Sequence, residues 1–355
     1  MTISLCMIVK NEEAVLARCL DGISPAVDEI IIVDTGSTDE TKAIAQKYTK
    51  HIYDFEWIND FAAARNFAFS KATMDYQMWL DADDVIPAES LAKLLALKNS
   101  LSPNIDIATM NYITHFDKDG LPILSATRER LLKTSNKYQW LDPVHEYIPL
   151  SGNIYYSDID IHHKKPDITG TSHRNLDIYT KLEQKGIAFN PRQTYYYARE
   201  LKDHKQWAKA AYYFERFLNS GLGWVEDNIA ACHALSICYD MLKDDGKIMP
   251  TLLKSLEYDS PRAEICCDIG YFYKKRQNYD KALRWFALAA SLDAPKSNGF
   301  ILWDYWGYIP NIEACVCACH LQDFDSAAAY NEKAATFKPN AKAVEINRAY
   351  LKTRA

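Results

Sequence analysis

The sequence predicts two architectures in tandem: an α/β domain on a largely parallel sheet, then an all-α array of helical repeats. Three observations carry this. Over the first hundred residues short β-rich runs alternate with amphipathic stretches, the pattern of βαβ units. Beyond Asn175 the strand signals give way to small and aromatic residues recurring at helical spacing. A chain of 355 residues is also longer than one core usually organises.

In chain order, strands are expected at residues 3–9, 29–33, 51–55 and 76–80, with helices over 13–20, 40–48 and 61–72 between them. Ser37-Thr38-Asp39-Glu40 has the form of a capping box for the second helix, and Pro87 suits the first turn of a fourth. Further strands at 105–114, 123–127, 129–133 and 154–162, with Lys118-Asp119-Gly120 as a turn, predict a more antiparallel half. These readings divide the chain into a domain over 1–170, a linker helix over 171–190 and a repeat domain over 191–355.

Pro191, Pro261 and Pro295 lie 70 and 34 residues apart. Gly270, Tyr273, Ala282, Phe286 and Ala289 precede Pro295 with the small and aromatic spacing of a tetratricopeptide (TPR) helix pair, where helices that cross closely need small residues. Ala198, Leu201, Ala210 and Phe214 repeat those offsets, and Ala327, Ala334 and Pro339 end a last window. The window around Ser236, Tyr239, Ile248 and Leu252 is degenerate. About four TPR-like repeats over roughly 190–345 follow.

Composition narrows the function. With 48% hydrophobic and 25% charged residues, and only 12 Gly and 13 Pro, no long disordered tract is expected. A net charge of −6 without a Lys/Arg block argues against nucleic-acid binding. The apolar start is cut by Lys10-Asn11-Glu12-Glu13, leaving no basic leader and no membrane-length run. Nine Cys, an odd count placed in apolar segments, predict reduced thiols and a cytoplasmic protein. Cys315-x-Cys317-x-Cys319-His320 splits across helix faces and reads as core packing rather than a metal site. Exposed aromatics such as Trp303, Tyr305 and Trp306 leave a homodimer through the helical domain open.

Neither G-x-G-x-x-G after the first strand nor G-x-x-x-x-G-K-[ST] is present, which removes the ordinary dinucleotide and P-loop classes. Open α/β sheets bind ligands beyond the carboxyl ends of their strands, and here those segments are acidic. Strand one runs into Lys10-Asn11-Glu12-Glu13, strand two into Asp34-Thr35-Gly36-Ser37-Thr38-Asp39, and strand four into Asp81-Ala82-Asp83-Asp84. Carboxylates gathered at one edge repel unless a cation compensates them; Mg²⁺ or Mn²⁺ on a D-x-D would also offset a diphosphate's charge. The same Asp81-Ala82-Asp83-Asp84 also reads as a plain acidic turn before the Pro87 helix, and Asp34 as the cap of the Gly36-Ser37 turn.

Together with Trp57-Ile58-Asn59-Asp60-Phe61-Ala62-Ala63-Ala64-Arg65-Asn66 and Trp79-Leu80 before the acidic turn, these segments resemble glycosyltransferase family 2, with the GT-A fold. Val144-His145-Glu146, Ile161-His162-His163 and the helical repeats extend the resemblance to the branch that includes the sublancin-type peptide S-glycosyltransferases. It implies that Val9, Asn11, Glu12 and Asp34 meet the base and ribose of a nucleotide diphosphate sugar. Asp60, Arg65 and Asn66 would line the donor pocket, and Asp81 and Ala82 the ribose and metal region. Asp83 would be the principal metal ligand, with His162, favoured over His163, completing the shell and tilting the choice towards Mn²⁺. Glu146 is the expected base, with Asp142 second, and Arg128 and Arg130 would meet the diphosphate or pair with these acids. The function implied is an inverting, metal-dependent hexosyl transfer, from a UDP-sugar in the first instance, to a peptide or protein Ser, Thr or Cys. A polysaccharide or lipid-linked glycan acceptor, an inactive TPR scaffold and a nucleotidyltransferase are the competing readings.

Overall fold

The structure, a computed structural model, describes residues 1–165 and 172–354; the expected boundary at 170/171 lies outside them. The chain divides into two compact units, Met1–His115 with Ser125–Ile187, and Phe116–Leu124 with Ala188–Ala355.

In the first unit, β1 (Ile3–Val9) lies between β2 (Glu29–Asp34) and β4 (Tyr76–Trp79), parallel to both, and β3 (His51–Asp54) extends the parallel set beyond β2. Beyond β4 the direction changes. There β7 (Pro122–Lys133) runs antiparallel to β4 and neighbours β6 (Ile107–Phe116), β8 (Ile154–His163) runs parallel to β6, and the two-residue β5 (Asp84–Val85) closes antiparallel on β8. Strands covered on both faces read as continuous apolar runs, which is why β1 and β4 are almost wholly buried. Ile3, Leu5, Met7 and Val9 enter one core layer with α1 (Leu16–Ile23) and α4 (Ala88–Ser100). Cys6, Trp79 and Trp140 enter the other, with α3 (Phe61–Phe69).

The differences from expectation are local. The segments expected at 123–127 and 129–133 are one strand, β7. The capping box does not form: α2 (Thr41–Ala45) is preceded by Glu40 without a side-chain cap. Ser37 Oγ instead accepts from Asn11 N at 3.0 Å, and Asp39 Oδ1 accepts from Thr41 N at 3.0 Å. Contacts with the first-strand loop outcompete the local motif.

The second unit is a series of antiparallel helix pairs: α6 (Pro191–Asp203) with α7 (Trp207–Ser220), α8 (Val225–Leu242) with α9 (Asp245–Lys254), α10 (Ala263–Lys275) with α11 (Tyr279–Ser291), and α12 (Tyr308–His320) with α13 (Phe324–Phe337). Helix α14 (Lys342–Lys352) packs on the last pair. Gly270 shows why the repeat needs small residues: a Cβ there would lie 2.8 Å from the Phe286 ring. The window that is degenerate in sequence still forms a full pair, with Ser236, Tyr239, Ile248 and Leu252 buried. Of the aromatics expected on the surface, Trp303 is exposed, but Tyr305 and Trp306 pack against the core. Cys315 and Cys317 are fully buried, and burial pushes both thiols up to about 12. No helix among the described residues is long and apolar enough to cross a membrane.

Candidate active site

Parallel pairing of β1 with β2 and β4 brings three acidic loops to one sheet edge, with Val9 opposite Asp34 in register. The loop after β4 supplies the densest group. One ligand atom each from Asp81, Asp83, Asp84 and His163 lies within 4.8 Å of all the others. The pairing of β5 with β8 makes this possible, because it sets Asp84 opposite His163. His163 Nδ1 lies 3.2 Å from oxygens of both Asp83 and Asp84. Burial opposes its protonation, but those two hydrogen bonds win and push its pKa up to about 9.

Of the two histidines, the structure brings His163, not His162, to this acidic group. Successive side chains on a strand point to opposite faces, and His163 shares parity with the buried Ile159 and Ile161, whereas His162 points to the other face. The alternation Ile159-x-Ile161-x-His163 is in the sequence and is the signal that sets His163 on the same face as Ile159 and Ile161.

Asp83 keeps an accessible carboxylate, 15% exposed, while Asp84 is fully buried. Asp84 accepts hydrogen bonds from Asp81 N at 3.0 Å, from the Tyr112 hydroxyl at 3.0 Å and from Arg130 at 3.2 Å, so it braces the loop from beneath. Arg130 has no exposed surface, lies 3.7 Å from the Trp79 ring centre and donates to Trp79 O at 3.0 Å. It cannot reach a diphosphate as expected, because the strand turns it into the core against Asp84. Arg128, one strand period away, pairs with Glu129 at 3.2 Å and keeps partial exposure.

The first two loops interlock. Asn11 takes a left-handed backbone (φ 55°), receives Thr38 N on its Oδ1 at 2.8 Å and donates its own N–H to Ser37. Asp34 Oδ2 accepts from Gly36 N and Ser37 N at 3.1 and 3.0 Å; its buried Oδ1 has no hydrogen-bond partner among the described residues. Burial, then the charges of Asp83 and Asp81, push the Glu12 carboxyl up to about 7, which places it among the acids of the third loop. The side chains of Val9 and Ala82 are in the core, and Val9 O accepts from Thr35 N at 2.9 Å.

The remaining expected residues gather around α3. Asp60 caps that helix by accepting from Ala63 N at 2.9 Å. Asn66 clamps the Trp140 backbone, donating to its O at 2.9 Å and accepting from its N at 2.8 Å. Arg65 is buried rather than open to a ligand, and it donates from Nε to Glu146 at 2.6 Å and from Nη2 to Asp81 at 2.8 Å. Burial raises the Asp81 pKa, but the Arg65 charge and hydrogen bond outweigh it and hold the carboxyl well below the usual range. Asp142 and Glu146 sit on a loop closed by Leu141–Tyr147 backbone bonds of 2.9 and 3.1 Å, with Asp142 in the left-handed region at φ 69°. Arg174, which sequence reasoning passed over, starts α5 (Arg174–Gln184), lies over the Phe61 ring at 4.6 Å and acts electrostatically on Glu12.

The chain is similar to several known proteins. Residues 4–158 match the model of glycosyl transferase family 2. A TPR repeat-containing protein of Synechococcus elongatus is 45% identical over 92 residues, 26% of this chain and 23% of that protein. The SPbeta prophage-derived glycosyltransferase SunS of Bacillus subtilis is 26% identical over 294 residues, 76% of this chain and 65% of SunS. The chain thus spans less than two thirds of the length of these relatives. A solved structure of glucosyl-3-phosphoglycerate synthase from Mycobacterium tuberculosis, in complex with Mn²⁺ and UDP-glucose, superposes at a TM-score of 0.37 and 18% identity, covering 54% of this chain and 81% of that one.

Proposed function

From the premise that residues 4–158 are a glycosyltransferase family 2 domain, followed by TPR-like helical repeats, we propose that the protein is an inverting, metal-dependent glycosyltransferase. It moves a hexose from a nucleotide diphosphate sugar, a UDP-sugar first among them, to a peptide or protein side chain. The observation that carries this is the convergence of Asp81, Asp83, Asp84 and His163 within 4.8 Å at the edge where β1, β2 and β4 end.

The donor set suits a hard divalent ion with some affinity for imidazole, which favours Mn²⁺ and admits Mg²⁺. Asp83 and His163 are the residues proposed to hold it, His163 releasing its proton as it does so. When bound, the ion offsets charge on the leaving diphosphate. Asp34, through its unpartnered Oδ1, and the Asn11–Glu12 loop address the nucleoside. Glu146 takes the acceptor's proton, its Oε1 held by Arg65. TPR arrays commonly present concave peptide-binding surfaces, which supports a polypeptide acceptor.

The test is a panel of UDP- and GDP-sugars with Mn²⁺, read as nucleotide release to water and as mass added to a peptide acceptor. Metal-dependent UDP release is the expected result. Neither release nor metal-dependent UDP binding by the folded protein would leave the family 2 domain as an inert scaffold.

A further inference from the structure

Arg65 lies between the two carboxylates that the proposed reaction keeps apart in role. Its Nε donates to Glu146 Oε1 at 2.6 Å and its Nη2 to Asp81 Oδ1 at 2.8 Å, so neighbouring nitrogens of one planar fork fix an acceptor-side and a donor-side acid side by side. These partners are 81 and 16 residues away in sequence. The guanidinium is 4.9 Å from the ring centres of both Trp79 and Trp140, and Arg65 as a residue is only 7% exposed. The same helix holds the Glu146 loop at two further points: Phe61 N donates to Pro143 O at 2.9 Å, and Asn66 clamps Trp140. On the far side the Tyr179 hydroxyl donates to Val144 O at 3.3 Å.

Resting on the glycosyltransferase reading, we propose that Arg65 is a positioning residue that touches neither substrate, and that it sets the Glu146 carboxylate in register with the Asp81–Asp84 loop so that proton removal and departure of the diphosphate occur at one fixed spacing. Lysine keeps the charge but offers a single nitrogen on a flexible stem, so it cannot hold both oxygens in a plane. Each carboxylate spends one oxygen on Arg65. The second oxygen of each is left for the reaction, so the fork orients both acids without blocking either.

The experiment is a double-mutant cycle on the full chain: wild type, Arg65→Lys, Glu146→Gln and both together, each checked for folding by thermal melting. The readout is UDP release with Mn²⁺ from whichever donor of the panel wild type turns over fastest. Arg65→Lys should lower kcat about 100-fold while the Kd for UDP with Mn²⁺ stays within about threefold of wild type. In the Glu146→Gln background the same change should cost less than about threefold, because a residue acting through Glu146 falls silent once Glu146 is gone. Losses that multiply, or full kcat in Arg65→Lys, overturn the inference while leaving the glycosyltransferase reading intact. Absence of UDP release from wild type across the panel overturns that reading, and this inference with it. Arg65→Gln, which keeps a planar N–H donor, carries the same comparison where the lysine variant melts too early to assay.

Discussion

Charged residues are buried in both units, but on opposite plans. In the helical unit opposite charges meet pairwise between elements: Arg262 with Glu226 at 2.9 Å, His233 with Asp268 at 2.5 Å, Lys338 with Asp304 at 2.6 Å. In the first unit like charges from separate stretches converge, Glu12 and Asp83 beside Asp81 and Asp84; Arg65 answers Asp81, Arg130 answers Asp84, and one imidazole, His163, is shared between Asp83 and Asp84. Pairing between helices serves packing, since each charge is matched and its removal strands a partner. Crowding of like charge opposes folding, and its persistence at the end of the sheet where β1, β2 and β4 finish is what the proposed donor site would explain.

Four measurements test that contrast, the largest effect first. Asp83→Ala should abolish Mn²⁺-dependent UDP binding and lower turnover by about 10³-fold or more. Its melting temperature without metal should stay close to wild type, because the lost hydrogen bond to His163 offsets the repulsion relieved from Asp81 and Asp84; a sharp drop would make Asp83 a structural acid and erase the contrast. Glu146→Gln should lower sugar transfer by about 10²-fold while leaving UDP·Mn²⁺ affinity nearly unchanged, and equal loss of both would move Glu146 to the donor side.

The other two concern the helical unit. Gly270→Ala drives a methyl to 2.8 Å from the Phe286 ring. It should destabilise by ~1–3 kcal/mol in denaturant melts, with UDP·Mn²⁺ binding unchanged while the protein remains folded. Asp268→Asn should have the smallest effect and a sign set by linkage. Burial lowers the His233 pKa, but the Asp268 charge and hydrogen bond outweigh it and raise it. The pair's stabilisation is therefore complete below the ordinary histidine value of about 6.5 and fades as pH rises through the raised one. Thermal melts should show Asp268→Asn least stable relative to wild type near pH 6, with the gap narrowing in alkali; a gap that widens with pH would contradict the pairing.

Much of this was legible beforehand for identifiable reasons. The first strand is read correctly to the residue because a doubly covered strand is a plain apolar run ended by charge. The helix pairs follow from small residues at crossings, and even the degenerate window folds as a pair because its neighbours supply the stacking surface. The Ser37–Glu40 box failed because Asn11, 26 residues away, captured the Ser37 hydroxyl. Which of His162 and His163 faces the acids follows from the strand's parity, which sets His163 beside Asp83 and Asp84.

What the sequence determined by itself is the order of the two architectures and the acids that follow β1, β2 and β4, because periodicity and strand ends are local properties of a chain. Only the tertiary structure decided which charges meet. The two-residue β5 exists because β8 pairs with it, Arg130 is sealed in the core by Asp84, and Arg65 finds Glu146 across 81 residues. Contacts of that kind depend on register and burial, which are set when distant segments pack together and leave no periodic trace along the chain.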